Sequence, residues 1–181
     1  MVDFNKNDEI VSDIWGGASV DIQFRKGTEE YLDSCIKAME HSSMCTAYFQ
    51  SEESRANAVM EGIHRGTLYV VLCSGECAGF AYFIPEGAFH AFHYLHLIAI
   101  KEEYRGKGIG KKLLEFIENI LFKSRDKIFL LVGDYNPDAK IFYEKSGYKY
   151  LATIPSLYRK EIDEFLMMKV YDGESNSGRI S

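Results

Sequence analysis

The run Arg105-Gly106-Lys107-Gly108-Ile109-Gly110 carries the residue types and spacing most suited to chemistry in this chain. It lies where an apolar run ends and a helix-spaced pattern begins. The first amides of a helix have no intrahelical acceptor and sit at the positive end of its dipole, so such a junction attracts an anion. Glycine supplies the backbone torsions of a tight loop and removes the Cβ that would keep a phosphate oxygen away. Between Arg105 and Lys112 stand four cations, Arg105, Lys107, Lys111 and Lys112, and no acid. A dinucleotide-binding fingerprint would require Gly at 111, and a nucleoside-triphosphate loop would require Ser or Thr after Lys111; the chain has Lys at both places. Taken alone, the turn also reads as a solvated basic loop.

A second segment follows after another strand: Asn136-Pro137-Asp138-Ala139, then Phe142-Tyr143 and Gly147-Tyr148. Two such segments in order weigh more than one glycine-rich turn.

The elements that must position them can be read from periodicity. Residues 1–17 form a polar leader with an apolar anchor at Ile10, Val11, Ile14 and Trp15 that suits a short helix. Val20–Arg25 alternates as a strand, and Thr28 caps a helix reaching Met39. A connection from His41 to Gln50 leads to a helix capped by Ser51, with Ser54–His64 as its body and Gly66 as its stop. Thr67–Cys73 and Cys77–Pro85 form a hairpin about Ser74-Gly75-Glu76, and Ala91–Ile100 is a third strand. Lys107–Phe122 repeats at helical spacing through Ile109, Leu113, Ile117, Ile120 and Leu121. Ile128–Val132 is a short apolar strand, Asp138–Ser146 a short helix, and Tyr148–Ile154 and Glu164–Val170 are the closing strands. This order predicts an α/β chain of the α+β type. It forms one domain over 18–171 with a mixed sheet and helices on both faces, followed by a polar tail over 172–181.

With these residues in hand, the chain resembles the GCN5-related N-acetyltransferase (GNAT) family. The likeness rests on Leu97-Ile98-Ala99-Ile100, on Tyr104-Arg105-Gly106-Lys107-Gly108-Ile109-Gly110, and on the segment from Asn136 to Tyr148. The family's Arg/Gln-x-x-Gly-x-Gly/Ala pattern is met by Arg105, Gly108 and Gly110. The resemblance implies an acyl-CoA N-acyltransferase fold with a mostly antiparallel central sheet, and acetyl-CoA as cosubstrate. It implies that the amides of the loop from Arg105 to Lys111 hold the diphosphate. Ile98, Ala99 and Ile100 would meet pantetheine as an added strand does, with Asn136 and Phe142 beside the arm. It also gives Tyr143 the role of acid.

Acyl transfer from a thioester to an amine needs a neutral amine, an oxyanion stabiliser and a proton for the departing thiolate. A phenol of reference pKa ~10 at Tyr143 can serve a thiolate near ~8.5; the other reading is a packed tyrosine bonded to backbone. His96, where several relatives carry Glu, is the candidate base, directly or through water, and reads equally as a core histidine. The amide of Ile98 is the candidate oxyanion donor. Direct attack by the amine is favoured over a cysteine relay, because the motif places no cysteine beside the thioester. The rival from another class is a non-catalytic acyl-CoA-binding module with a regulatory task.

For the acceptor, the aromatics Tyr48, Phe49, Tyr82, Phe83, Phe89, Phe92 and Tyr158 and the acids Glu40, Glu52, Glu53, Glu161, Asp163 and Glu164 suit a primary amine with an apolar body, small molecule or peptide. The same residues also read as core packing and solvated surface. The stretch from Leu157 to Met167 resembles the closing hairpin of family members that act on peptide amines.

His90, His93 and His96 do not form a metal set, since strand alternation turns 93 away from 90 and 96. Cys73 and Cys77 lack a second pair for a tetrahedral site. The net charge of −6 argues against nucleic-acid binding, and no run approaches the roughly 20 apolar residues that cross a bilayer. Four unevenly spaced cysteines and an apolar-poor start lead us to expect reduced thiols and a cytoplasmic protein. A homodimer, with the polar tail as an exchanged arm, fits the family resemblance.

Overall fold

The computed structural model describes residues 9–15 and 18–171. Its strands are β1 (Glu9–Trp15), β2 (Ala18–Lys26), β3 (Leu68–Cys73), β4 (Glu76–Ala88), β5 (Phe92–Ile100), β6 (Lys127–Gly133), β7 (Lys149–Arg159) and β8 (Ile162–Val170). Its helices are α1 (Leu32–Met39), α2 (Ser43–Tyr48), α3 (Glu52–His64), α4 (Ile109–Leu121) and α5 (Pro137–Lys145). Among the described residues the strands form one sheet in the order β1-β2-β3-β4-β5-β6-β8-β7. Every neighbouring pair is antiparallel except β5 and β6, which are parallel and joined through α4.

Three sequence expectations need correction. The stretch holding Ile10, Val11, Ile14 and Trp15 is a strand, not a helix, and belongs to the sheet, pairing with β2 from Glu9↔Phe24 to Trp15↔Ala18. Its apolar spacing fits either element, and backbone pairing along the free edge of β2 decides it. The helix after Thr28 starts with a 3-10 turn at Glu29–Tyr31, for which Thr28 makes no side-chain cap bond. The connection before Ser51 contains α2, capped by Ser42, whose hydroxyl accepts the Cys45 amide at 3.1 Å. Ser51 caps α3 in the same manner through the Ser54 amide at 3.1 Å.

The core has two layers, one on each face of the sheet. Leu68, Val70 and Leu72 of β3 pack with α1 and α3, while Tyr69, Val71 and Cys73 pack with α4. This alternation explains why β3 is apolar throughout: both faces are covered. Helix α4 buries Ile109, Leu113, Ile117 and Ile120 as its spacing predicts. It also buries Glu118, whose carboxylate accepts Lys169 at 2.6 Å. Ser74 and Gly75 turn the β3–β4 hairpin with φ of 49° and 86°, the left-handed pair of a type I′ turn.

Of the two register shifts between β4 and β5, the one between Tyr82 and Phe83 bears on the site. Tyr82 pairs with Leu97 and Phe83 with Leu95, so His96 is an extra residue in that strand. Such a bulge reverses alternation: Leu95 joins the α4 layer, whereas Leu97 and Ala99 join the α1–α3 layer.

Candidate active site

β5 and β6 pair only at His93↔Ile128 and Tyr94↔Phe129. Beyond that point a cavity of about 1020 Å³ lies between them, bounded by His96 to Ile100 on one side and Leu131 to Gly133 on the other. Lys101 donates its amide to Ala78 at 2.9 Å, so alternate residues Ala99 and Leu97 also direct their amides to β4. The main-chain groups of Ile98 and Ile100 therefore point to the open side.

At one end of the cavity is the glycine turn. Gly106 and Gly108 have φ of 74° and 78°, and a Cβ built on either would touch nothing within 4 Å. The space beside them is open. Gly108 is the N-cap of α4 and has no side chain to satisfy the first-turn amides. The first turn of α4 contains no acid, and Lys111 and Lys112 stand there instead. The helix dipole opposes cations at this end, and Lys111 has the Glu115 carboxylate at 3.8 Å one turn on. Gly106, Gly108, Ile109, Gly110 and Lys111 all line the cavity, as do Asn136 and Phe142.

The side chains of two cations of the motif bond to nearby backbone carbonyls. Arg105 lines the cavity, yet its guanidinium donates to the carbonyls of Ile100 at 2.9 Å, His41 at 3.3 Å and Glu40 at 3.3 Å. It ties the end of β5 to the α1–α2 loop. Lys107 does not line the cavity; its ammonium donates to Glu103 at 2.8 Å and lies over the Tyr104 ring. The Oδ1 of Asn136 caps α5 through the Ala139 amide at 3.2 Å.

Tyr143 stands on α5 and lines the cavity, 7% exposed, wedged edge-on against Tyr148 and Phe142. Among the described residues no hydrogen bond reaches its hydroxyl. Burial pushes this phenol up, so it stays protonated across the ordinary pH range.

His96 lines the same cavity from the bulge and meets Tyr82 edge-on at 5.3 Å and Tyr94 at 5.7 Å. Its Nδ1 is buried without a partner. Burial holds its pKa below the usual histidine value, with Glu61 opposing, so the ring is neutral at pH 7. His93 lies on the other face and bonds Ser124 at 2.7 Å, and His90 occupies the β4–β5 turn.

The far end of the cavity is walled by Tyr48, Phe49, Tyr94, Tyr135 and Tyr158 around Glu164. Of the aromatics read as acceptor residues, Tyr48, Phe49 and Tyr158 are here; Tyr82 and Phe83 are core, and Phe89 and Phe92 pack on Phe129. Of the acids, Glu164 is here, whereas Glu52, Glu53 and Glu161 are exposed. Tyr94 and Tyr135 join the wall without having stood out in the sequence. Gly133 makes room for Tyr135: a Cβ there would stand 2.1 Å from its ring. Glu164 is 2% exposed, pairs across the sheet with Gly133, and accepts the Tyr48 hydroxyl. Burial pushes its carboxyl up, and the Tyr48 bond partly offsets that.

Among the described residues no helix is long and apolar enough to cross a membrane, and no group of histidine, cysteine and acids could hold a metal ion.

Residues 36–148 match the family model described as the Acetyltransferase (GNAT) family. A 5-NmdU N-acetyltransferase of Pseudomonas phage PaMx11 is 31% identical over 116 residues, covering 60% of this chain and 80% of that protein. The paia N-acetyltransferase from Thermoplasma acidophilum, solved in complex with coenzyme A, has a TM-score of 0.65 at 23% identity, covering 83% of this chain and 99% of its own. Arabidopsis thaliana Naa50, in complex with the bisubstrate analogue CoA-Ac-MVNAL, has a TM-score of 0.64 at 21% identity, covering 83% and 99%. With more than half of its length matched, this chain belongs to the GNAT family of acetyltransferases.

Proposed function

We propose that this protein moves an acetyl group from acetyl-CoA to a primary amine by direct attack of the amine on the thioester. The observation that carries this reading is the continuity of one cavity from the glycine turn, past Tyr143, to the carboxylate of Glu164. The turn fits a diphosphate: open space beside Gly106 and Gly108, first-turn amides without acceptors, and lysines where a helix start normally prefers acids. The outward main-chain groups of Ile98 and Ile100 suit a pantetheine arm running beside β5, with Ala99 between them and Asn136 and Phe142 opposite.

Acetyl-CoA supplies the electrophilic carbonyl and a thiolate leaving group. Within the protein, Tyr143 gives its proton to the leaving sulfur. Its raised pKa does not defeat that step, because burial beside Tyr143 raises the thiolate as well. The amide of Ile98 is the donor for the carbonyl oxygen. His96, neutral through burial, accepts the proton lost by the attacking nitrogen, directly or through water. Four free thiols suit a reducing, cytoplasmic setting.

The test is thiol release from acetyl-CoA against polyamines, amino acids, aminoglycosides and short peptides, with acetyl-CoA binding followed in parallel. Turnover with one amine class is the expected result. Tight binding without turnover on any class favours the non-catalytic acyl-CoA-binding module, and no binding overturns the reading.

A further inference from the structure

The described structure buries two carboxylates, and they differ in one respect. Glu118 has Lys169 at 2.6 Å. Glu164, at 2% exposure, makes no ion pair with a cation among the described residues. Its one hydrogen bond there is from the Tyr48 hydroxyl to Oε1. A buried carboxylate without a counter-charge is unfavourable, and here the deficit opens on a cavity.

The walls fit a cation. Tyr48 meets Tyr135 edge-on at 5.7 Å and Tyr158 at 5.9 Å, and Tyr94 is within electrostatic reach of Tyr158, Glu164 and Tyr143. Aromatic faces attract ammonium groups, most strongly where water is excluded. Asp134 adds a second negative charge near Glu164, while the nearby cation Arg159 rests over the Tyr48 ring at 5.9 Å. Tyr143, the proton donor of the proposed transfer, lines the same cavity and lies within electrostatic reach of Tyr94.

We propose that Glu164, caged by Tyr48, Tyr94, Tyr135 and Tyr158, is the acceptor-ammonium site: it selects primary alkylammonium groups with no carboxylate on the same carbon and deprotonates them. The inference rests on the acetyl-transfer reading and deepens it. In the step, one N–H bond of the ammonium breaks and an O–H bond forms on Glu164; the electron pair stays on nitrogen, which becomes the nucleophile. The proton then passes to solvent. A carboxylate beside the amine would meet the negative charges of Glu164 and Asp134.

The experiment titrates the protein with n-pentylamine and with norleucine, which differ by that one carboxylate, following tyrosine ring signals by NMR without acetyl-CoA. Saturable shifts with n-pentylamine are expected, at least 10-fold weaker with norleucine and at least 10-fold weaker in Glu164→Gln. The Gln variant keeps an oxygen for Tyr48; its unfolding temperature should be no lower than that of wild type and its acetyl-CoA affinity should match. Absence of saturable shifts in wild type, equal binding of norleucine, or unchanged amine affinity in Glu164→Gln overturns the proposal. If amine binding behaves as expected but acetyl-CoA neither binds nor reacts, the site stands and the acetyl-transfer reading fails.

Discussion

The Nε of Arg105 donates to the carbonyl of Ile100 at 2.9 Å, so the motif's first residue fastens the end of β5. With its bonds to Glu40 and His41, this side chain fixes the distance between the glycine turn and the α1–α2 loop. Arg105→Met should lower the unfolding temperature by about 2–4 °C, the equivalent of about 1 kcal/mol for an exposed residue. Acetyl-CoA affinity should fall only a few-fold, and Arg105→Lys should not restore stability because an ammonium lacks the planar fork. Thermal unfolding and calorimetric titration check both.

Gly108 and Gly75 offer a controlled comparison. Both have left-handed φ, 78° and 86°, and neither has a neighbour near a built Cβ. An alanine at either should cost about 1–2 kcal/mol of backbone strain. Gly108→Trp should in addition abolish acetyl-CoA binding, whereas Gly75→Ala, in the β3–β4 turn, should leave it intact. Equal affinities in the two variants would remove the turn from the binding site.

Tyr143→Phe deletes a hydroxyl that bonds to none of the described residues, so stability should barely change. Turnover should fall by about 10²-fold or more while acetyl-CoA affinity stays within a few-fold. A steady-state comparison of kcat and KM for acetyl-CoA decides this; an unchanged kcat excludes Tyr143 as the acid.

Lys169→Met strands the Glu118 carboxylate in the core. Unfolding free energy should drop by about 3–5 kcal/mol at neutral pH. The Glu118 carboxyl already titrates above its usual value because of burial, so the folded protein binds this proton more readily than the unfolded chain. The deficit should be full above the folded pKa, shrink as pH falls through it, and vanish below the unfolded value. Urea titrations between neutral and acidic pH test this, and a Glu118→Gln, Lys169→Met double variant should show no such dependence.

Much of this arrangement is legible in the residues. Strand β3 is readable from its unbroken apolar run, α4 from its 3.6 period, and the glycine turn from the strand–helix junction around it. What escapes lies in tertiary pairing. The six residues of α2 are too few to show a period, although Ser42 before them is a cap signal. The bulge at His96 leaves no compositional trace, and it alone decides that Leu95 and Leu97 face opposite layers. Glu164 reads as one more acid in a charged hairpin; its burial depends on Gly133 across the sheet and Tyr48 from α2, 116 residues away. Residues beyond 171 and before 9, including the polar tail, lie outside the described residues.

The most direct test of the central claim is a single-turnover reaction of the wild-type protein with limiting acetyl-CoA and excess n-pentylamine, with products identified by mass spectrometry. The expected result is N-acetylpentylamine and free CoA thiol in equal amounts, formed far more slowly by Tyr143→Phe. Thiol release without the acetylated amine, or product formed equally fast by the variant, would contradict it.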